Sequence, residues 1–470
     1  MNASPFLLYI YTFIASFLAI PSYTQGVVGF PKTLYSVDVQ SDAEKATSKL
    51  LFRGLVKYDS KGKTIPDLAE EIIASENNKD YIVRLKEDIY FSNGYPITTD
   101  DVIFTYSLRP EFNDIVIQKI NSKLIEFRLP NELASFPDLL TIGILSSEDN
   151  FRDDFQPISS GYYEVVSYTK VGDIITDVKL KSRGFEGARF NYIQIKYYDK
   201  YEDVRAAAGI GEIDSFLDNK VFNSKIFASE QLLSKGRFIA LYFNTKSTNG
   251  SNLDLRKALF ADTPRQNIVD KVFNGNAKAL SNLYSDTDWY FSQVSTPAIS
   301  DKSFDNVVFK IAYPNDSVFE QVANELTTYW KEKYNIDFEV EGIDMIDIDS
   351  VFEAIEDFDA IIIGSEISPD PDQFSFWHST QIESPGLNIT GYTSIRADTA
   401  LEEGRKAFEI EERKKHYNVL QETLANDVPI ITLYRQILFL NTLKKFSYPR
   451  NTYYYTPIDQ ISVFVIEEQD

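Results

Sequence analysis

The sequence predicts a mixed α/β protein that folds as more than one lobe. Segments with strand periodicity alternate with amphipathic helical segments, most clearly at residues 306–340, where a strand, a helix and a second strand follow one another. With 470 residues, the chain is too long for a single hydrophobic core, because such cores rarely grow beyond about 250–300 residues. We therefore expect two or three lobes, each built from strands and helices.

Composition excludes several classes of function. The net charge is −23, from 70 acidic and 47 basic residues, which argues against a nucleic acid as partner because phosphate binding needs a basic face. There is no cysteine, so disulfides, thiolate metal sites and a lipid-modified N-terminal cysteine are all excluded. The two histidines, His378 and His416, are far apart in the sequence and are interpreted as surface or helix residues. We expect no metal site and no cofactor.

The N-terminus predicts a membrane anchor. Residues 1–31 carry no charged side chain, and residues 5–20 form an almost unbroken apolar run. As a helix this run spans about 24 Å, and its uncharged flanks bring it to the ~30 Å of a hydrocarbon core. A cleaved signal peptide is the main alternative, but the segment lacks a basic start and offers only Ser22 and Thr24 as small residues near a cleavage site. We assign residues 1–22 to this anchor or signal segment; a buried core helix is the third interpretation.

The first half of the chain predicts strands that are interrupted by capped helices. Residues 23–30 have the β-branched composition of a strand. Residues 38–50 predict a polar loop that leads into a helix. Alternating apolar residues at 81–85 predict another strand, and Asn93-Gly94 predicts a turn. Thr98 and Asp101 have the spacing of a capping box at the start of a helix.

The second half continues this alternation. Residues 161–182 predict a long hairpin, and residues 190–198 and 237–245 predict strands. Helices are predicted on both sides of Pro264, and a further helix at 412–427. Ser317 and Glu320 have capping-box spacing at the start of the helix within residues 306–340. Buried strands are predicted at 358–364 and 429–440.

Three separated stretches resemble one family in the same order. "LLFRGLVKYDSKGKTIPDLAEE" and "VRLKEDIYFSNGYPITTDDVIFTY" form the first, and "ALYFNTKS" with "LRKALFADTPRQNIVDKVFNGNA" the second. The third contains "DPDQFSFWHS", "GLNITGY" and "ERKKHYNVLQETLANDVPIITLY". From about residue 23 to 440 the chain is thus similar to the family 5 extracellular solute-binding proteins, the peptide-, dipeptide- and nickel-binding components of ABC importers.

The resemblance implies a bilobal type II periplasmic-binding-protein-like fold with an extra inserted domain, here preceded by the N-terminal helix. The domains implied are a discontinuous lobe I at 23–48, 160–245 and 441–470, an inserted domain II at 49–159, and a lobe III at 246–440. Hinge crossings are expected near residues 245 and 440.

The implied function is a receptor, not an enzyme. It would capture an oligopeptide or dipeptide between two closing lobes and deliver it to ABC permease subunits. It would work as a monomer outside the cytoplasm, at the cell surface or in the periplasm, held to the membrane by its N-terminal helix.

The candidate site lies at the end of the strand predicted at 358–364. In the family, the matching strand end pairs with the ligand backbone, and an Asp holds the ligand α-amino group. Here Ile367 stands at the position of that Asp, and Glu366 is the expected substitute. Ser365 and Ile367 are expected to offer main-chain groups to the ligand. These main-chain groups are expected to form hydrogen bonds with the peptide backbone.

Three further residues complete the predicted site. Trp377 is expected to line an apolar pocket, and Asp370 either to contact the ligand or, in the interpretation we favour, to fix an Asp-Pro turn. Ser41, in the first loop, matches a ligand-contacting position of the family.

Alternative functions remain open at this point. The same fold could hold an oligosaccharide or another small solute, since 29 Tyr and 3 Trp supply stacking surfaces, or serve as a sensor or scaffold without transport. A glycosidase would need two carboxyls about 5–10 Å apart across a cleft. The adjacent acids Asp370/Asp372 and Asp100/Asp101 do not have that pattern.

Overall fold

The computed structural model describes residues 22–446, except 37–38, 40, 60–61, 150, 152, 186–187, 234, 285–288, 295–303, 305 and 346. The predicted N-terminal helix therefore lies outside the described residues. No helix among those that are described is both long and apolar enough to span a bilayer.

The chain divides into two compact units. Within the described part of the chain, unit 1 comprises the residues up to 130, residues 137–232 and those from 439 onward, and unit 2 comprises residues 131–136 and 233–438. The mixed α/β class is confirmed, because both units combine strands with helices.

Unit 1 contains two separate sheets and a small hairpin. Its strands are β1 Ser22–Val28, β2 Val56–Tyr58, β3 Thr64–Pro66, β4 Ala69–Ala74, β5 Asp80–Leu85, β6 Val116–Lys119, β7 Leu124–Arg128, β8 Tyr163–Val171, β9 Ile174–Ser182, β10 Tyr192–Tyr198, β11 Ser215–Asp218 and β12 Phe227–Leu233, which runs to the unit boundary. Its helices are α1 Asp42–Leu51, α2 Thr99–Ser107, α3 Phe136–Leu139, which begins at the boundary, and α4 Tyr201–Gly209. One sheet has the order β11-β1-β10-β9-β8, and the other has the order β4-β5-β7-β6.

The capping signals predicted for α2 are confirmed. The Thr98 side chain accepts a hydrogen bond from a main-chain amide of the first turn, and the Asp101 carboxylate accepts one from the Thr98 amide, at 2.8 Å. α1 begins in the same way: Ser41 and Glu44 form a capping box. These caps satisfy amides that a helix leaves without a partner.

Unit 2 is organised around one sheet with helices packed on it. Its strands are β13 Arg237–Phe243, β14 Ala277–Ala279, β15 Val308–Pro314, β16 Asp337–Ile343, β17 Ala360–Glu366 and β18 Ile430–Leu443, whose last residues belong to unit 1. Its helices are α5 Leu253–Ala261, α6 Arg265–Phe273, α7 Ser317–Tyr334, α8 Ile348–Glu356, α9 Phe374–Trp377, α10 Ile395–Lys406 and α11 Ile410–Asp427. The strand order is β16-β15-β17-β13-β18, with β14 against β18. The apolar stripe of α7 packs into the core, where Trp330 is fully buried.

One capping prediction in unit 2 is wrong by one residue. The N-cap of α7 is Asp316, whose carboxylate accepts a hydrogen bond from the Val318 amide at 2.8 Å, whereas Ser317 is already the first helical residue. Both residue types are good N-caps, so the sequence alone does not choose between them.

One unit boundary lies close to the hinge predicted near residue 440, and the other lies before the hinge predicted near residue 245. The chain passes from unit 1 to unit 2 after Leu232, and back after Leu438. β13, which was assigned to lobe I, belongs to unit 2, because it pairs with β17 along its whole length. The further division of unit 1 into lobe I and an inserted domain II stays a prediction, although β4–β7 form a sheet of their own.

Candidate functional site

The candidate site is built on β17, whose two edges have different neighbours. On one edge β17 pairs with antiparallel β13, from Arg237 opposite Glu366 to Phe243 opposite Ala360. On the other edge it pairs with parallel β15 at two positions, where Ile311 lies opposite Ala360 and Ala312 opposite Ile361. The C-terminal half of β17 therefore extends beyond its ladder with β15.

Two hydrogen bonds show which main-chain groups face β13. The Ile367 amide donates to the Gly236 carbonyl at 3.0 Å, and at the other end of the pair the Asn244 amide donates to the Asp359 carbonyl at 2.8 Å. Because main-chain groups alternate between the two edges of a strand, Ser365, like Ile367, directs its amide and carbonyl towards β13. The main-chain groups on the opposite edge are those of Ile362, Gly364 and Glu366.

This alternation corrects one part of the sequence-based expectation. Ser365 and Ile367 were expected to offer main-chain groups to a ligand, but the ladder with β13 uses the groups of Ser365 and the amide of Ile367. Ile367 is also buried, with 2% of its surface exposed, whereas Gly364 and Glu366 are exposed. The groups directed away from β13 are thus displaced by one residue from those predicted.

Pro314 explains why the ladder with β15 stops. Continuing the register by one step would place Tyr313 opposite Ile362, and the Ile362 carbonyl would then accept from the amide of residue 314. Proline has no amide hydrogen, so this bond does not form. Beyond it, no described strand pairs with this edge of β17.

Glu366 makes an exposed ion pair across the sheet. Arg237 Nε lies 2.7 Å from Glu366 Oε2, and the two side chains are 30% and 38% exposed. Exposed pairs of this kind contribute roughly 0–1 kcal/mol, so the carboxylate can exchange this partner for another cation at little cost.

Ser365 and Trp377 lie on either side of Tyr242. The Ser365 hydroxyl is 2.6 Å from the Tyr242 hydroxyl, and the Trp377 ring stacks on the Tyr242 ring with centroids 6.3 Å apart. Burial raises the pKa of Tyr242, so its hydroxyl stays protonated at neutral pH. Trp377 is only 1% exposed, and its indole Nε1 has no hydrogen-bond partner within the described part of the chain.

Asp370 is engaged in a buried ion pair. Both of its carboxylate oxygens accept hydrogen bonds from Arg413 of α11, at 2.6 and 2.8 Å, and the two side chains are 10% and 8% exposed. Burial lowers the pKa of Arg413, but the hydrogen bonds and charge of Asp370 outweigh this effect and raise the pKa overall. Arg413 gave no signal in the sequence, because it lies 43 residues downstream.

Asp372 fixes the same loop to a second helix. Its Oδ2 accepts a hydrogen bond from Arg405 Nε of α10 at 2.8 Å and another from the Ser135 hydroxyl at 3.0 Å. The Arg405 guanidinium also lies 4.1 Å from the centroid of the Phe374 ring. Residues 368–377 are thus held to α10 and α11 by both acids of the Asp-Pro-Asp sequence.

His378 is buried, so the interpretation as a surface or helix residue is wrong for it. Its ring stacks on Phe374 with centroids 4.1 Å apart, and its Nε2 lies 3.2 Å from Glu402 Oε1. Stacking on Phe374 and packing against α10 explain its burial.

Ser41 belongs to unit 1 and the other candidate residues to unit 2. The Ser41 hydroxyl accepts a hydrogen bond from the Glu44 amide at 3.3 Å, and this places it at the start of α1 as a cap. Whether Ser41 or the residues of 365–377 contact a ligand stays a prediction.

Unit 2 also contains a cavity of about 300 Å³ elsewhere in its fold. Its lining includes Arg265, Gln421 and Thr432, and none of the predicted site residues. The predicted site is therefore distinct from this cavity.

Comparisons with known proteins agree with the fold. Residues 63–384 match the sequence profile of the bacterial extracellular solute-binding proteins, family 5. The oligopeptide-binding protein AppA of Bacillus subtilis is 24% identical, over 87% of this chain and 85% of its own. Its crystal structure, with a bound nonapeptide, has a TM-score of 0.76 at 21% identity and covers 95% of this chain and 98% of its own. NikZ of Campylobacter jejuni, in complex with Ni(L-His), has a TM-score of 0.79 at 20% identity, covering 95% of this chain and 99% of its own.

We predict that Asp370 stabilises the fold and does not bind the ligand. Replacing it by Asn leaves Arg413 as a buried, uncompensated charge, which costs about 3–5 kcal/mol. Asp370→Asn should therefore lower the urea midpoint of unfolding strongly, while Asp357→Asn, the same change at an exposed position, should barely move it. Peptide affinity of the folded Asp370→Asn protein should stay unchanged. A normal midpoint with weakened binding would instead assign Asp370 to the ligand.

Proposed function

This chain belongs to the bacterial extracellular solute-binding proteins of family 5, and from that premise we propose that it captures a peptide between two closing lobes for an ABC importer. Proteins of this family are receptors that bind a solute outside the cytoplasm and perform no catalytic step. The chain is accordingly an extracytoplasmic receptor and not an enzyme.

The observation that carries the proposal is the exposed edge of β17. Gly364 is exposed, and by alternation its amide and carbonyl point away from β13. An extended peptide can add to such an edge as a further strand, which gives affinity from main-chain hydrogen bonds and little selectivity for side chains. A glycine at this position also lets the peptide backbone approach closely.

Glu366 supports a second part of the proposal, which is recognition of the peptide's α-ammonium group. Glu366 lies at the C-terminal end of β17, and its ion pair with Arg237 is exposed. A ligand ammonium can replace Arg237 there. Ile367, which occupies the family's Asp position in the sequence, is buried and apolar.

A peptide bound at this edge would also offer a partner to a buried donor. Trp377 Nε1 is buried without a partner in the described residues, and such a donor costs about 1–3 kcal/mol unless something accepts its hydrogen. A peptide carbonyl or a water molecule held by the peptide would satisfy it.

We predict that Gly364→Pro weakens peptide binding without unfolding the protein. Proline removes an amide that, by alternation, is not part of the ladder with β13, so the strand should tolerate it. The peptide loses one main-chain donor, and its own carbonyl is left without a partner, which should weaken affinity about ten- to a hundredfold in calorimetry.

Two variants control this experiment. Gly364→Ala keeps the amide and should bind normally; its added Cβ would lie 3.2 Å from Ile239 Cδ1, the end of a flexible side chain. Ser365→Pro removes an amide that faces β13 and should lower the unfolding midpoint. If Gly364→Pro binds peptide as well as the wild type, the peptide does not pair with this edge.

We predict that acetylating the peptide's N-terminus weakens binding through Glu366. A charge-assisted hydrogen bond contributes about 1.5–3 kcal/mol, so the acetylated peptide should bind about ten- to a hundredfold more weakly. Glu366→Gln should abolish this difference, and Arg237→Gln, which removes the competing cation, should enlarge it. Equal affinities for the free and acetylated peptides would mean that the terminus is not recognised. Binding of an oligosaccharide and of no peptide would contradict the peptide assignment as a whole.

We further propose that the chain stays attached to the membrane through residues 1–22. β1 begins at Ser22, so cleavage near Thr24 would remove the start of a strand that pairs with β10 from its first residue. The intact protein should sediment with membranes, and a variant that lacks residues 1–21 should be released while it still binds peptide. A mature N-terminus at Gln25 in native material would refute this attachment.

A further inference from the structure

Unit 1 has a markedly basic end, at the point where the chain enters β1. Ser22 lies opposite Tyr192 of β10, and Tyr192 lies opposite Lys181 of β9, so the three residues stand side by side at one end of the sheet. The end of β18 reaches the same place, because the Asp214 carboxylate accepts from the Thr24 amide and the Asp214 carbonyl accepts from the Leu443 amide.

Among the described residues, basic side chains outnumber acidic ones at this end; Glu186, between Arg183 and Arg189 in the sequence, lies outside them. The basic residues, which we call the basic rim, are Lys181, Arg183, Arg189, Lys225, Lys444 and Lys445. Lys225 and Lys444 are neighbours, since the Lys444 ammonium donates to the Lys225 carbonyl at 2.8 Å. The acidic residues that the strand registers and ion pairs place beside the rim are Glu164, opposite Lys181, and Asp214, 3.0 Å from the Lys445 ammonium. The whole chain has a net charge of −23, so this local excess of positive charge stands out.

An aromatic cluster packs against two cations of the rim. The rings of Tyr23, Phe190 and Phe446 lie within 4.9 to 5.7 Å of one another, centroid to centroid. The Lys445 ammonium lies 4.7 Å from the centroid of Phe446, and the Arg189 guanidinium lies 5.7 Å from that of Phe190. Lys445 and Arg189 thus both pack against the rings of this cluster.

Apolar and aromatic groups are exposed beside the rim. Ile226, which follows Lys225, is 58% exposed. Tyr90, whose carbonyl accepts a hydrogen bond from Arg183, is 43% exposed. Lysine and arginine interspersed with aromatic and apolar side chains form the combination that is enriched at membrane–water interfaces.

We propose that the basic rim rests on the anionic headgroups of the bilayer to which the chain is attached. This inference depends on the membrane attachment proposed above, and it goes further by naming the surface that faces the lipid and the lipid chemistry that the surface recognises.

Distance makes the contact effective. In the sequence the apolar N-terminal run ends at Ile20, two positions before β1 begins, and two residues of chain can span at most about 7 Å. The Debye length is about 8 Å at physiological ionic strength, so charges at the start of β1 lie within reach of the surface potential. Each Lys or Arg near an anionic surface contributes about 1 kcal/mol, which is a factor of about five.

The rim also sets the orientation of the receptor. The acidic remainder of the chain is repelled by an anionic surface, so contact through the basic end is the arrangement that electrostatics favours. A receptor that is held by its N-terminal segment alone would have no such preference.

The test uses the full-length chain, which has no cysteine, so a single introduced thiol can be labelled selectively. Ile226→Cys places a fluorophore beside the rim. Val171→Cys places it at the tip of the β8–β9 hairpin, at the other end of β9 from Lys181, and this position is similarly exposed at 66%. Both proteins are reconstituted into vesicles with equal amounts of phosphatidylglycerol and phosphatidylcholine, or into pure phosphatidylcholine. Quenching by nitroxide-labelled headgroups reports proximity to the bilayer.

We expect the label at 226 to be quenched in phosphatidylglycerol vesicles and the label at 171 to remain bright. Quenching at 226 should disappear in pure phosphatidylcholine and in 1 M salt, where the Debye length is about 3 Å. Replacing Lys181, Lys225 and Lys444 by Gln should weaken the contact about a hundredfold, whereas replacing Lys271, Lys310 and Lys331 by Gln, the same change in charge elsewhere, should not.

Peptide affinity, measured by calorimetry on the same samples, separates the two proposals. If peptide affinity and vesicle attachment are normal but the label at 226 is not quenched, the contact of the rim with lipid is refuted. The receptor function is then left intact. Quenching that is equal in both lipids, or that appears only after a permease is added, would assign the rim to another contact and would also overturn the proposal. If the chain does not attach to vesicles, both the membrane attachment and the lipid contact of the rim are refuted, whatever the peptide affinity.

Discussion

The missing amide hydrogen of Pro314 decides where the pairing of β15 with β17 stops, and the candidate site depends on this. From Ile362 onward β17 is held on one edge only, by β13. The strand stays in register with that one neighbour, while the main-chain groups of its other edge pair with no described strand. A single proline thus ends the ladder and leaves the open edge on which the proposed peptide contact depends.

Much of the fold follows from local patterns in the sequence. The β-α-β segment at 306–340, the hairpin at 161–182 and the capping box at Thr98 are present where apolar periodicity and capping residues predicted them. The error at α7 is also local: Asp316 and Ser317 are adjacent and equally suited to cap a helix. The choice between them depends on the position at which the chain leaves β15. No local sequence pattern gives that position.

The site was harder to predict, because its chemistry depends on register. The run Ala360–Ile363 is apolar at every position, so it carries no alternation from which the direction of each residue could be inferred. The pairing with β13 decides that Gly364 and Glu366, not Ser365 and Ile367, direct their main-chain groups away from β13. A structural role for Asp370 was favoured from its Asp-Pro context and stays a prediction, whereas its partner Arg413, in a distant helix, gave no signal in the sequence.

Glu366 and Asp370 differ in the free energy that is lost when each is separated from its arginine. Removing the partner of a buried charge, as in the Asp370–Arg413 pair, costs about 3–5 kcal/mol, more than one hydrogen bond to a ligand returns. The Glu366–Arg237 pair is exposed and contributes at most about 1 kcal/mol, so a bound ammonium can take the place of Arg237. A transport receptor must also release what it captures, which a weakly held carboxylate allows. The end of β17 and the loop after it therefore combine Glu366, in an exposed and exchangeable ion pair, with Asp370, which is fixed by a buried one.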